Sequence, residues 1–293
     1  VFNSDAIRNV ELIKGGMPAR YGGRLSSVLD ISMKEGNMRE WHGQGGIGLI
    51  ASRMSVEGPI VKDKLSVLAS ARRTYIDVLL MPFSGEGSDL EGNSYFFYDL
   101  NAKLQWKIGE KDRLYLSGYY GEDVFAFQSP SGDLGIDIPW GNGIASLRWN
   151  HQFSSKLFLN TTATFSDYSF RTAAEDEDFS FELRSGIRDY SLKTDFSWIP
   201  NPNHTLRFGT EMIFHEFTPS TAQATLEDNA IGVPSAQTLY AHDWMLYAED
   251  DWDISTRWKL NYGFRLSYFQ HTGPFDRFVK GPDGLNSDTI SYG

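Results

Sequence analysis

The sequence predicts an all-β chain, most of which forms part of an antiparallel transmembrane β-barrel. Three observations indicate this fold class. Apolar and polar residues alternate with a period of two in many segments after residue 40. The connections between these segments are alternately short and long, as in outer-membrane barrels. Tryptophans lie close to the short connections, which is typical of a membrane interface.

Composition narrows the function classes. The 293 residues include 27 Lys and Arg against 38 Asp and Glu, and the net charge of −11 argues against nucleic-acid binding. The chain has no cysteine, which excludes thiolate metal sites, disulfides and cysteine catalysis. No segment approaches the roughly 20 apolar residues of a membrane helix, but a membrane β-barrel has no such run either.

The alternation is clearest at residues 96–108. Phe96, Leu100 and Trp106 share one predicted face, whereas Asp99 and Lys103 share the other. The glycine-rich segment 42–58 is interpreted as two short strands with a turn near 48–51. Further strands are predicted at 65–75, 113–122, 141–153, 157–168, 190–198, 204–216, 238–254 and 258–270, which gives eleven strands in all.

The lengths of the connections and the positions of the tryptophans both indicate an outer-membrane barrel. Short connections lie at 58–64, 109–112, 154–156, 199–203 and 255–257, and long polar ones at 76–94, 123–140, 169–184, 217–237 and after 270. Five tryptophans lie within about five residues of a short connection and are predicted to form a membrane girdle: Trp106, Trp149, Trp198, Trp252 and Trp258. The alternative is that tryptophan merely favours strands.

Residues 1–40 have a different character. Ser4 or Asp5 is suited to start a short helix, and strands are predicted at 10–13 and 27–34. The intervening "MPARYGGR" is predicted to be a turn segment. Its neighbouring glycines, Gly15, Gly16, Gly22 and Gly23, are predicted to serve backbone geometry through positive φ or close packing.

The stretch "VELIKGGMPARYGGRLSSVLDISMKEG" resembles the end of the plug domain of TonB-dependent outer-membrane receptors. Lys14–Gly15 matches the family's basic-Gly pair, Tyr21–Gly22 matches its Tyr-Gly pair, and residues 27–33 match the closing strand. "EGPIVKDKLSVLASARRTY", "YDLNAKLQW", "YAEDDW" and "LNYGFRLSYF" resemble barrel strands of receptors common in Bacteroidetes.

The resemblance implies a domain organisation. Residues 1–40 would be the C-terminal part of the plug domain, and residues 41–293 the N-terminal half of the barrel, with about 11 of the family's 22 strands. Because half a barrel would leave unpaired strand edges in lipid, the chain is expected to be an internal fragment of a longer receptor. The expected location is the cell outer membrane.

The resemblance also implies a function. The receptor is expected to take up a scarce nutrient, such as an iron chelate, a cobalamin-like cofactor, an oligosaccharide or a peptide, by energy-coupled displacement of the plug. Expected partners are the periplasmic energy-coupling protein TonB with its ExbB/ExbD complex, outer-membrane lipid, a small nutrient ligand and, as a further candidate, a surface lipoprotein. No bound cofactor, nucleic acid or enzyme activity is expected.

Three alternatives stay open. A passive porin would lack residues 1–40 in their present form. A barrel enzyme should show a Ser, His and acid set on its inner face, and the sequence contains neither HExxH nor GxSxG. A large soluble β-protein would bury the apolar faces between two sheets.

The resemblance assigns roles to particular residues. A basic plug residue at the position of Lys14 is expected to pair with inward-facing acids of the barrel wall, for which Glu211, Glu249 and Asp251 are the candidates. Arg20 and Arg24 are candidates for the same plug–barrel lock, although each of the three cations could instead be a solvated turn residue. Gly15, Tyr21 and Gly22 carry the plug motif.

The long connections supply the candidate ligand residues. Phe125, Phe127 and Trp140 lie near acids in the 123–140 connection, which suits a ligand mouth. Their alternative role is in an upper aromatic girdle or in loop packing. No metal site is predicted, because the acidic run 173–182 lacks the spacing of a calcium loop and is better explained as solvated.

Overall fold

A computed structural model describes residues 3–23, 26–83, 85, 88, 93–129, 134–226, 229–231, 237–280 and 286–292. The strands of the first part are β1 (Ile7–Lys14), β2 (Ser27–Met33), β3 (His42–Ile47), β4 (Ala51–Val61), β5 (Leu65–Thr74), β6 (Ser94–Lys107), β7 (Asp112–Gln128) and β8 (Gly135–Gln152). Those of the second part are β9 (Leu157–Glu175), β10 (Phe179–Asn201), β11 (His204–Leu226), β12 (Asn229–Ile231), β13 (Leu239–Asp253), β14 (Lys259–Thr272), β15 (Phe275–Lys280) and β16 (Asn286–Tyr292).

One antiparallel sheet dominates the molecule. Its eleven main strands follow the chain order from β3 to β11 and continue through β13 to β14, while the short β12 pairs with the end of β11. The predicted fold class and the predicted eleven strands are confirmed. The glycine-rich segment forms β3 and β4, as expected. No helix of the described residues, including α1 (Ile76–Leu80), is long and apolar enough to cross a membrane.

The strands are longer than the alternation predicts. The predicted connection 123–140 is mostly strand, because β7 runs to Gln128 and β8 begins at Gly135. The connections 169–184 and 217–237 also contain the ends of β9, β10 and β11. These predictions were wrong for different local reasons: residues 124–127 are apolar on both faces, and the end of β11 has polar residues on both faces, so neither arm gives a period-two signal. Their backbones still pair, and threonine-rich segments favour strands.

Burial on this sheet is inverted relative to that of a soluble protein. On β6, Asp99 and Lys103 are 1% and 4% exposed, whereas Leu100 and Trp106 are 50% and 47% exposed. Directly paired residues share a face, so the register extends this assignment from strand to strand. We call the face that carries Asp99 the inner face and the face that carries Leu100 the outer face.

The tryptophans of the outer face follow an oblique line across the sheet. Trp106 and Trp149 lie in one row of directly paired residues, and on β13 this row contains Leu246. The tryptophan near this edge of β13 is instead Trp252, which lies six residues closer to the short turn. Six strand spacings of about 4.8 Å and six residues of about 3.3 Å give a slope of roughly 35°. This agrees with strands tilted by about 35–45°, as in outer-membrane barrels.

Residues 3–40, which we call the leading segment, lie against the inner face. A 3₁₀ turn at Ser4–Ala6 is capped by Asn3, whose side-chain oxygen accepts a hydrogen bond from the Asp5 N–H at 3.0 Å. β1 then pairs with β2 as an antiparallel two-stranded sheet, and β1 extends beyond the predicted 10–13. Gly15 and Gly16, where the chain leaves β1, both have positive φ, which glycine adopts without steric cost.

Candidate functional site on the inner face

The leading segment contacts the inner face in two places. The first contact region involves β4, β5 and β6. Asn3, which is fully buried, donates from Nδ2 to the Ala71 carbonyl oxygen at 3.4 Å. Arg53 of β4 lies 3.4 Å from the Asp5 carboxylate and donates to the Ser4 hydroxyl oxygen at 2.9 Å. These contacts fix the start of the leading segment through polar groups.

The same region also holds the end of the leading segment. Lys103 donates to the Met33 carbonyl oxygen at 3.4 Å, and Gln105 donates to Glu35 at 3.1 Å. The backbone comes closest at Gly36, where an added Cβ would lie 2.6 Å from the carbonyl carbon of Val67. Side chains that the sequence alone places on a polar strand face therefore bind a second part of the molecule.

The second contact region centres on Glu249 of β13. Both carboxylate oxygens of Glu249 accept hydrogen bonds from Arg20, one from its backbone N–H at 3.0 Å and one from its guanidinium. The Glu249 side chain is completely buried, and the Arg207 guanidinium lies 3.6 Å from it. A buried carboxylate held by two guanidiniums is strongly destabilised when one partner is removed.

Arg265 of β14 holds the same turn from the other side. Its guanidinium donates to the carbonyl oxygens of Ala19 and Arg20, each at 3.3 Å. Gly22 passes so close to Arg265 that an added Cβ would overlap the guanidinium. Gly263, two residues before Arg265, is also crowded, since a Cβ there would lie 2.7 Å from the Ala248 carbonyl oxygen and 2.9 Å from the Cβ of Ala19. Small residues thus allow the backbone of the turn to approach the wall.

Tyr21 connects this turn to β2. Its hydroxyl donates to Asp30 at 3.1 Å, and the Arg20 guanidinium lies 4.9 Å from the centre of its ring. Burial raises the pKa of the Tyr21 phenol; the bond to Asp30 acts in the same direction, whereas Arg20 opposes it. The phenol therefore stays a neutral donor at neutral pH.

A polar cavity separates the turn from the neighbouring wall. It has a volume of about 450 Å³ and is lined by Arg20, Tyr21 and Asp30 on one side and by inner-face residues, among them Lys193 and Glu211, on the other. The leading segment therefore does not pack against this part of the wall as an apolar core would. Its contacts are a small number of ion pairs and hydrogen bonds.

Comparisons with known proteins identify the family. The family described as "TonB dependent receptor-like, beta-barrel" matches residues 63–291. The chain belongs to this family. TonB-dependent receptors are outer-membrane proteins and not enzymes, which confirms the expected location and the absence of an enzymatic role. A comparison with curated proteins gives no match.

Solved receptors and transporters share the fold. The outer-membrane transporter YddB from Escherichia coli matches 93% of this chain with a TM-score of 0.66 at 13% identity. The pyoverdine receptor FpvA from Pseudomonas aeruginosa matches 98% with a TM-score of 0.68 at 12% identity, and the copper transporter OprC matches 96% with 0.66 at 13% identity. This chain spans 45%, 47% and 45% of those three chains respectively, which is about half of their length.

Of the described residues predicted to form the plug–barrel lock of this TonB-dependent receptor chain, only Arg20 and Glu249 contact each other. Lys14 lies exposed at the end of β1, and within the described residues it forms no ion pair, so its expected pairing with the acids is not seen. Asp251 pairs with Arg207 instead of the leading segment. Arg24 lies outside the described residues.

Glu211 lies near the leading segment but does not bind its described residues. It faces the polar cavity and lies directly opposite Lys193 in the register, but it forms no ion pair within the described part of the chain. Arg265 was missed by the sequence analysis, as was Arg207. Both lie on the polar face of an alternating strand, and that alternation was the only available signal for them.

The candidate ligand residues lie on strands and not in a loop. Phe125 and Phe127 are on the extended arm of β7 and are 40% and 37% exposed. Trp140, on β8, lines a cavity of about 790 Å³ that also includes Tyr120 and Gly143 of the outer face. By register all three residues belong to the inner face, but Phe125 and Phe127 do not line this cavity, and the role of the three in ligand binding stays a prediction.

The five predicted girdle tryptophans are all exposed to a substantial degree, between 36% for Trp252 and 71% for Trp258. Four of them, Trp106, Trp149, Trp198 and Trp252, belong to the outer face near the short-turn edge. This position is typical of a membrane interface in barrels of this kind.

Proposed function

We propose that the chain is part of an outer-membrane receptor that imports a scarce nutrient by energy-coupled displacement of a plug, and that residues 1–40 are the C-terminal part of this plug. Residues 41–293 are then the N-terminal half of the barrel. The observation that carries the proposal is the turn at 19–22, which is held on the inner wall by Arg20, Glu249 and Arg265.

The chemistry of this contact suits reversible displacement. Ion pairs and hydrogen bonds can be exchanged for water once a force opens them, whereas a large apolar interface would have to expose its surface. The polar cavity beside Arg20 already separates the segment from part of the wall. Interfaces between domains that move are in general more polar than permanent ones.

The substrate class is left broad. An iron chelate, a cobalamin-like cofactor, an oligosaccharide and a peptide all fit a receptor of this family. Two of the solved neighbours are a pyoverdine receptor and a copper transporter, so the shared fold does not select among substrates. Phe125, Phe127 and Trp140 are the proposed ligand contacts on this half of the wall.

The first proposed partner is the protein complex that would supply the energy for transport. Barrels of the outer membrane have no nucleotide supply, and the family is coupled to TonB, so we propose TonB with the ExbB/ExbD complex as the source of force. A surface lipoprotein is a further proposed partner. The contacts of residues 3–36 with the wall would then hold the closed state, and the applied force would shift the equilibrium toward the open one.

An engineered disulfide tests the displacement. Ala19→Cys with Gly263→Cys in the full-length receptor places two Cβ atoms about 2.9 Å apart, slightly closer than the usual 3.5–4.5 Å, and these 293 residues contain no other cysteine. The new Cβ at 263 would also lie 2.7 Å from the Ala248 carbonyl oxygen, so β14 must shift slightly, and uptake by the reduced variant controls for that shift. Oxidation should stop uptake by tethering the turn to the wall, and reduction should restore it. Uptake is measured in whole cells with the nutrient on which the receptor supports growth.

A second cysteine pair provides the matched control. Leu246→Cys with Leu266→Cys joins two strands that are already paired and leaves the leading segment free. Uptake through this variant should not depend on the redox state. Equal uptake by the oxidised and the reduced forms of the Ala19→Cys, Gly263→Cys variant would contradict displacement, and uptake that persists after depletion of TonB would favour a passive porin.

A further inference from the structure

Two side-chain clusters of similar composition lie at the short-turn edge of the sheet. We call them the first rim cluster, formed by Asp112, Trp149 and His151, and the second rim cluster, formed by His204, Asp250, Trp252 and Tyr262. Each contains one aspartate, one histidine and one tryptophan. They lie on different hairpins. Trp149 and Trp252 belong to the predicted tryptophan girdle described above, but no role has been given to the aspartates and histidines beside them.

In the first rim cluster one oxygen of the aspartate has two partners. Oδ1 of Asp112 accepts a hydrogen bond from the Trp149 indole at 2.9 Å and lies 2.7 Å from Nδ1 of His151. The indole and imidazole ring centres are 5.5 Å apart. About a third of the Asp112 side chain is exposed, so the carboxylate can be reached from outside.

The second rim cluster has the same aspartate–histidine contact, but a tyrosine replaces the tryptophan as the donor to the aspartate. Oδ2 of Asp250 accepts a hydrogen bond from the Tyr262 hydroxyl at 3.0 Å and lies 2.7 Å from Nδ1 of His204. The His204 ring stacks on Trp252 with 5.4 Å between centres. The other oxygen, Oδ1, is buried and has no hydrogen-bond partner among the described residues, so the negative charge of Asp250 is only partly compensated.

Both clusters face the membrane. His151 and Trp149 alternate in phase with Leu147, and Asp250 alternates in phase with Leu246, both of which are exposed apolar residues of the outer face. In outer-membrane barrels the short turns lie at the periplasmic side. The two clusters therefore meet the headgroup layer of the periplasmic leaflet.

The charge of the clusters selects the class of ligand. The side chains of each cluster have a net charge of −1 with a neutral histidine and of zero with a protonated one, and Lys111 adds a positive charge beside Asp112. A carboxylate beside an exposed indole face favours an ammonium ion, through charge attraction and a cation–π contact. We propose that the two rim clusters bind the primary ammonium of ethanolamine phospholipid headgroups and so hold two lipids at defined places on the barrel.

The two sites differ in how they hold the ammonium. At the first rim cluster the exposed carboxylate contacts it directly. At the second, the ammonium lies against Trp252 and the open edge of His204 and compensates the buried charge of Asp250 across a short distance. Attraction between charges is stronger in an interface than in bulk water, because the effective dielectric constant is lower there.

The test counts lipids bound to the full-length receptor. The receptor is placed in nanodiscs of equal parts phosphatidylethanolamine and phosphatidylglycerol, released into mild detergent, and examined by native mass spectrometry. Wild type should retain at least two molecules of phosphatidylethanolamine in preference to phosphatidylglycerol. Asp112→Asn and Asp250→Asn should each lower the affinity for one of them about tenfold, which corresponds to about 1.4 kcal/mol of binding free energy.

Asp253→Asn is the matched control, because Asp253 lies at the same edge and pairs with Lys259 but belongs to neither cluster. It should leave both retained lipids in place. If Asp250→Asn does not fold, as judged by heat-modifiable mobility, Asp112→Asn still tests the first rim cluster. Equal retention of the two lipids by wild type, or unchanged retention in the folded variants, would overturn the proposal and leave the clusters as strand-end contacts only.

Discussion

Glu249 is the residue on which the second contact region depends. Its buried carboxylate receives the Arg20 backbone N–H and guanidinium and is close to Arg207. No other described acid of the wall contacts both the backbone and the side chain of one leading-segment residue. The contact therefore reports directly on whether the turn at 19–22 is docked.

The substitution Glu249→Gln keeps the shape of this side chain and removes its charge. A hydrogen bond to a charged group contributes about 1.5–3 kcal/mol, so the turn should open roughly ten to a hundred times more often. Hydrogen exchange at the Arg20 amide should become faster by that factor. Asp253→Asn, which removes the charge from an exposed pair, should leave this exchange unchanged. Equal rates in wild type and Glu249→Gln would show that the pair does not hold the turn.

Gly36 tests the first contact region. In Gly36→Ala the new methyl group would lie against the backbone carbonyl of Val67, which cannot rotate away as a flexible side chain could. Crowding of this kind costs about 1–3 kcal/mol, and the midpoint of thermal unfolding should fall. Gly109→Ala is the control, because a Cβ there meets no described atom within 4 Å. If both variants unfold at the same temperature, the leading segment is not packed as described.

At the scale of the strand, β10 allows the two faces to be compared at neighbouring positions. Leu192 is 54% exposed on the outer face, whereas Ser191 lines the polar cavity on the inner face. Leu192→Arg should lower the stability of the folded barrel in lipid vesicles by about 2–4 kcal/mol, and Ser191→Arg by much less. Urea titration in vesicles measures both. Equal losses would mean that the outer face does not contact lipid.

The strands were predictable where one face is apolar. On β6 and β14, residues such as Leu104 and Leu266 alternate with polar neighbours, and the predicted strands closely match the observed ones. The end of β11 was missed, because Thr218, Thr221 and similar residues make both faces polar there. The start of β10 was missed although its residues 179–184 do alternate. The end of β11 is stabilised by backbone hydrogen bonds to its neighbouring strands, and these bonds do not depend on the hydropathy of the side chains.

At the scale of the whole molecule, the candidate site was only partly predictable. The resemblance and the alternation together selected Arg20 and Glu249, but they ranked Lys14 first. The choice between Lys14 and Arg20 depends on how the turn after β1 is oriented, and that follows from contacts such as Arg265 with Ala19, 246 residues apart. Local patterns carry no information about a contact at that separation.

The whole molecule is also inverted in its burial, because the leading segment lies on the polar inner face and contacts it in two regions, while the apolar outer face is open. Such a chain can be stable only where the outer face meets a non-aqueous environment, since apolar area exposed to water costs about 25 cal/mol per Å². The family assignment to the outer membrane supplies that environment.

The order of the wall contacts along the leading segment has a mechanical consequence. Residues 3–5 bind near β4 and β5, residues 19–22 bind β13 and β14, and residues 33–36 return to β5 and β6. A force applied to the chain on the amino-terminal side of residue 3 would act on these three attachments one after another. The segment would then peel from the wall, and the peak force would be that of its strongest single attachment and not of their sum.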